Sequence, residues 1–105
     1  MAIKRIWHGW TTAENADVYE NMLKTDIFPG IAAMGIPGYH GVELLRRDTD
    51  NEVAFITIMT FDSTDNVIAF QGEDYEVAYV PPQARAVLKR WDDRAAHYEI
   101  RAKPA

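Results

Sequence analysis

His8, His97 and the aromatic side chains Trp10, Phe70, Tyr75 and Tyr79 are the residues from which this chain could build a reactive site. An imidazole titrates close to neutral pH and can take a proton from a bound molecule. Aromatic walls exclude water and hold a flat ligand. His8 alternates with Ile6 and Trp10 along an opening strand, which makes it the candidate base, although the same position suits a hydrogen-bonded core histidine. His97 falls on a closing strand expected beside the first, sharing its face with Glu99 and Arg101, so it reads either as a second imidazole of the site or as a solvated side chain. Tyr75 and Tyr79 stand four apart, the spacing of one helical face, and serve either as pocket walls or as packing. His40 reads as a surface residue, and Trp7 as a core or an interface residue.

Several kinds of chemistry are excluded by composition and spacing. The chain has no cysteine, which removes disulfides, thiolate metal sites and thiol nucleophiles together. Its three histidines are far apart, and H-E-x-x-H, a calcium loop, G-x-G-x-x-G, a phosphate loop and G-x-S-x-G are all absent. Neither a metal nor a nucleotide cofactor is therefore expected. A net charge of -5 repels a phosphate backbone, so nucleic acid is not an expected partner. No apolar run approaches the roughly 20 residues of a membrane span or follows the N-terminus at signal-peptide length, and a cytoplasmic protein without membrane partners is expected.

The elements that must position these residues follow from periodicity. At 105 residues, with 48% hydrophobic and 26% charged side chains, the chain fits one domain, residues 1–105, with one core. Residues 3–11 predict a strand with bulky groups on both faces, followed by a helix capped through Thr11 and Glu14 and striped by Ala16, Tyr19, Leu23 and Ile27. Pro29-Gly30 must interrupt or kink that helix, which ends by Gly35. Strands are predicted over 39–47 and 52–61; the second barely alternates and so belongs in the middle of the sheet. Ser63 starts a second helix through Val67, Ile68 and Phe70, which Gly72 can close. Pro82 opens a short helix carrying Ala84, Val87, Leu88 and Trp91, and residues 97–101 alternate as a last strand.

The order βαββαβ predicts an α+β, ferredoxin-like fold, with helices on one face of a four-stranded antiparallel sheet. Two strands nevertheless carry apolar groups on both faces, and a second copy of the chain is the simplest cover for the open one. Burying ~400 Å² of apolar surface per subunit would be worth on the order of 10 kcal/mol before the costs of association. A homodimer is therefore expected.

Three phrases carry a family resemblance: I-W-H-G-W-T, F-P-G-I-A-A-M-G-I-P-G-Y and F-D-S-T-D-N-V-I-A-F-Q-G-E-D-Y-E-V-A-Y-V-P-P. In order and spacing the chain, from Ile3 to Arg101, resembles the antibiotic biosynthesis monooxygenase domain family. The resemblance implies a dimeric α+β barrel, two sheets closing on each other with helices outside. It also implies chemistry within a group that includes cofactor-free oxygenases, quinol oxygenases and haem-degrading enzymes. Where haem-degrading members carry Asn, Trp and His, this chain has His8, Phe70 and Tyr79, which argues against that route.

The expected function is cofactor-independent oxidation of a small aromatic, quinol or polyketide-like molecule by O2. His8 would act as base, and Trp10, Phe70, Tyr75, Tyr79 and His97 would bind substrate between sheet and second helix. A non-catalytic dimeric ligand-binding or regulatory protein, and a lyase or isomerase on the same barrel, are the competing readings.

Overall fold

The computed structural model describes residues 2–105. Strand β1 (Ile3–Thr11) leads into α1 (Ala13–Met22), a π-helical turn (Leu23–Ile27) and α2 (Phe28–Ala33). Then come the hairpin β2 (Tyr39–Asp48) and β3 (Val53–Phe61), α3 (Thr64–Gln71), the single turn α4 (Pro82–Arg85) and the short strands β4 (Arg90–Trp91) and β5 (Ala96–Glu99). The antiparallel sheet runs β2-β3-β1, and both β4 and β5 pair with the remaining edge of β1. This is the α+β, ferredoxin-like arrangement expected from the element order, with β3 between two neighbours.

Strict alternation decides what each strand residue touches. Along β1 the odd positions Ile3, Arg5, Trp7, Gly9 and Thr11 are buried, and along β3 the odd positions from Val53 to Phe61 are buried. These meet Ala16, Tyr19, Leu23, Ile27 and Ile31 of the long helix and Val67 of α3. The even positions, among them Ile6, His8, Trp10, Ile56 and Ile58, form the other face, which no helix among the described residues covers. Leu45 and Tyr98 flank that face with 46% and 59% of their surface exposed. Trp7, expected either in the core or at an interface, is a core residue here, and its Nε1 donates to the Asp92 carbonyl at 2.7 Å.

Several boundaries differ from those expected, each for a local reason. The helix cap is Thr12, whose hydroxyl accepts from the Asn15 N–H at 3.2 Å, while Thr11 stays in the strand. Pro29 does not end the helix. The turn before it widens so that the Phe28 N–H reaches the Leu23 carbonyl, and the chain re-enters α-helix with proline in the first turn, where a missing N–H costs least. The helix expected from Pro82 to Trp91 stops after one turn because the free edge of β1 competes for its backbone. The Lys89 and Asp92 N–H groups donate to the Trp10 and His8 carbonyls at 2.7 and 3.0 Å, and Trp91 becomes a strand residue. Tyr75 and Tyr79 share no helix, since residues 72–81 are irregular after Gly72 closes α3 at φ 100°. The last strand begins at Ala96 and ends at Glu99 rather than spanning 97–101.

Gly9 is fixed by packing. A Cβ there would lie 2.7 Å from the Trp7 ring and 3.2 Å from Leu88, so the indole lies across the strand only because residue 9 has no side chain. Gly9→Ala is expected to lower stability by about 1–3 kcal/mol, the usual penalty of overpacking, measured by urea denaturation at fixed protein concentration. An unchanged midpoint would show that the indole has room to move.

Candidate functional site

Arg5 is the charged residue that the fold places in its core. It is 3% exposed, faces the helices from β1, and forms no ion pair with a carboxylate among the described residues. Its Nη1 donates to the Tyr75 carbonyl and lies 2.9 Å from His97 Nε2, and its Nη2 donates to the Val77 carbonyl at 2.8 Å. The guanidinium carbon sits 5.6 Å from the centre of the Phe70 ring, a cation–π distance. Burial lowers the pKa to about 10, partly offset by nearby Glu76, so the group remains a cation at neutral pH. A guanidinium has five N–H donors, and three are engaged here.

Arg5 lines a cavity between the sheet and the long helix. Leu23 and Ile27 of the π-helical turn, Phe28 and Ile31 of α2, and Tyr79 to Pro81 of the irregular segment supply the walls. Its tight core measures about 30 Å³, and the concavity counted out to its open mouth about 440 Å³. The core has room for about two waters, so a ring can lie only in the outer part. Tyr19 and Thr57 also line it; both are buried, and neither hydroxyl has a hydrogen-bond partner among the described residues. Burial pushes the Tyr19 phenol well above its ordinary pKa, so it stays protonated and able to donate. The site is an apolar concavity into which a cation and hydroxyl groups converge.

The residues singled out from sequence fall on two sides of the sheet. Phe70, Tyr75, Tyr79 and His97 gather on the helix side around Arg5: Phe70 packs on Tyr79 with ring centres 5.2 Å apart, and Tyr75 meets His97 edge-on at 5.1 Å. His8 and Trp10 lie on the uncovered face, their rings 6.1 Å apart and Trp10 stacked 3.7 Å beneath the Arg90 guanidinium. The expectation that His8 and Trp10 share one pocket with the tyrosines is corrected by strand parity, because even positions of β1 point away from the helices. His97 is paired with Arg5 across β1 and β5 and lies far from His8 in register. Arg5 is not among the candidates that residue type alone suggests. Its parity with Ile3 and Trp7 was the signal for burial. Among the described residues no three His, Asp or Glu side chains gather where they could hold a metal ion.

Solved structures give this architecture its relatives. A protein named "putative antibiotic biosynthesis monooxygenase" from Bacillus cereus superposes over 100% of this chain and 96% of its own, at 10% identity and a TM-score of 0.65. Rv0793 from Mycobacterium tuberculosis matches over 100% of both chains at 11% identity and 0.66. A second "putative antibiotic biosynthesis monooxygenase", from Nitrosomonas europaea, covers 92% of this chain and 88% of its own at 8% identity and 0.64. The chain shares their fold. The sequence matches no protein-family model and no curated protein. The ferredoxin-like fold that composition and element order led to is thus also that of two proteins named for the family the sequence resembles.

Within this fold the Arg5–His97 contact fixes a protonation state. A guanidinium only donates, so His97 Nε2 must accept and the proton of the neutral ring must sit on Nδ1, which is buried without a partner. Burial, then the charge of Arg5, hold the His97 pKa below its ordinary 6.5, against a smaller opposite pull from Glu76. Between the folded and unfolded pKa values the unfolded chain binds the extra proton. Stability is therefore full above about 6.5 and falls as pH drops below it. NMR titration is expected to show His97 protonating below 6.5, and His97→Gln to flatten the stability profile in that window. A midpoint at or above 6.5 would mean that the contact with Arg5 is not kept in solution.

Proposed function

We propose that this chain is the subunit of a homodimeric monooxygenase that oxidises a small aromatic, quinol or polyketide-like molecule with O2, without flavin, haem or metal. The observation that carries the reading is the helix-side concavity, apolar in its walls and polar at its base through Arg5, Tyr19 and Thr57. A substrate carrying a ring CH2 activated by aryl and carbonyl neighbours loses a proton and becomes electron-rich enough to reduce O2 itself. One oxygen atom then enters as C=O, and the other leaves as water with the two hydrogens. The protein need only hold the ring dry, take the proton and stabilise the developing oxyanion. Tyr79 lines the concavity with Phe70 packed behind it, Arg5, Tyr19 and Thr57 would supply donors to the oxyanion, and His97, which reaches the concavity only through its contact with Arg5, is the imidazole assigned the proton in this reading. His8 and Trp10 belong in this reading to the uncovered apolar face, which a second copy of the chain covers.

The narrow core favours a second reading, a dimeric ligand-binding or regulatory protein, because only a small group fits beside Arg5 without movement of the walls. Turnover separates the two. Oxygen-electrode assays with hydroxyanthrones and reduced quinones are expected to show uptake that Ala84→Leu, which fills the cavity, abolishes while circular dichroism stays native. A ligand-induced rise in melting temperature with no uptake supports the binding protein instead. Light scattering is expected to report twice the 12.0 kDa chain mass, and a particle of one chain at micromolar concentration would remove the dimer.

A further inference from the structure

Buried charges in proteins are paired, because an ion removed from water without a counter-charge is costly. Arg5 breaks that pattern. It is 3% exposed and bonded to two carbonyl dipoles and a neutral imidazole, and no carboxylate among the described residues makes an ion pair with it. The charge, eased only at a distance by Glu76, therefore lies without an ion-pair partner against an open concavity whose walls include Leu23, Ile27, Phe28, Ile31 and Val80. Two of the five guanidinium N–H groups remain without a partner among the described residues. The Tyr19 and Thr57 hydroxyls line the same space and are equally unengaged. The tight core, about 30 Å³, accepts a group the size of a carboxylate or a single oxygen, and the apolar outer space, within about 440 Å³, accepts a ring or short chain.

We infer that Arg5 is the ligand-recognising residue of this cavity and that it takes a small organic monoanion, a carboxylate or phenolate carried on an apolar body. The inference deepens the proposed function, whose cavity it uses, by naming the charge state of the molecule bound. Arginine suits the task better than lysine, since its planar donors meet a carboxylate at two points. The surrounding apolar walls lower the local dielectric and make a neutral isostere a poor competitor.

The experiment is calorimetry and thermal melting of the whole chain under nitrogen with benzoate, its neutral isostere benzamide, and 4-nitrophenol, whose visible band reports its ionisation. Benzoate is expected to bind and raise the melting temperature, with benzamide about tenfold weaker or more. Bound 4-nitrophenol is expected to ionise at lower pH than the free molecule. Arg5→Met should erase the preference for the anion and Arg5→Lys should keep part of it. If Arg5→Met does not fold, the comparison of benzoate with benzamide on the native chain decides alone. Binding of only one anion identifies the head group as carboxylate or phenolate and supports the inference. Equal binding of benzoate and benzamide, or no binding of either anion, overturns it. Anion binding without oxygen uptake in the turnover assay leaves this inference standing and removes the monooxygenase reading. Uptake on neutral substrates with no preference for anions does the reverse.

Discussion

The structure depends on a guanidinium in the wrong solvent. Arg5 stands on a strand position that alternation assigns to the core, and its burial is tolerated because the chain around it supplies acceptors. Those acceptors are the Tyr75 and Val77 carbonyls, in a stretch that has no helix and only an isolated bridge between Val77 and Arg94 to hold it. Hydrogen bonds from Ala78 to the Asp93 carbonyl and from Ala95 to that of Glu76, at 2.9 and 2.7 Å, tie the same stretch to the chain that follows β4. Arg5 adds the tie to β1. The wall carrying Tyr79, Val80 and Pro81 is thus positioned by a charge rather than by regular secondary structure.

The sheet acts as a partition, and the period of a strand decides what lies on each side. Odd positions of β1 and β3 meet helices and build the cavity floor; even positions carry isoleucines, His8 and Trp10 to a face that no element among the described residues covers. Apolar groups on both faces of adjacent strands are the feature on which the proposed pairing of two copies rests. His8 and Trp10 therefore lie with the Arg90 and Tyr98 side of the sheet, and the cavity lies with Arg5 on the other. A single residue step along β1 separates a side chain of the face away from the helices from one that lines the cavity.

Much of this was legible in the sequence where local signals agree. Strand alternation, the central position of β3, the closing role of Gly72 and the order of elements need only period and turn chemistry, and these lead to the ferredoxin-like sheet. Signals failed where tertiary hydrogen bonds overrode a local pattern. Ala84, Val87, Leu88 and Trp91 have helical spacing, yet the unpaired edge of β1 captures the backbone from Lys89 onward. Tyr75 and Tyr79 have helical spacing too, but the Tyr75 and Val77 carbonyls accept from Arg5, and the segment between them is a turn and irregular chain rather than a helix. Arg5 was itself obscured because a charged residue in a strand reads as solvent-facing, although Ile3 and Trp7 on either side in parity mark it as interior. His8 was credited with chemistry from its neighbours Ile6 and Trp10, while nothing local tells which face the helices will choose.

The donor count at Arg5 sets how a ligand could act on the wall. Three N–H groups already hold the Tyr75 carbonyl, the Val77 carbonyl and His97, so an anion that had to displace them would loosen residues 72–81. Two N–H groups remain, and an anionic oxygen on these adds a counter-charge without releasing either carbonyl. Such an anion also strengthens the existing bonds, because a compensated cation no longer pays the full cost of desolvation that now lowers its pKa. It pulls the other way on the imidazole: with the charge of Arg5 offset, one of the two influences that keep His97 neutral weakens and its affinity for a proton rises. In the proposed reading the two groups answer one another: a proton taken by His97 would go to Nε2 and break its 2.9 Å contact with Arg5, freeing a third guanidinium N–H for the anion.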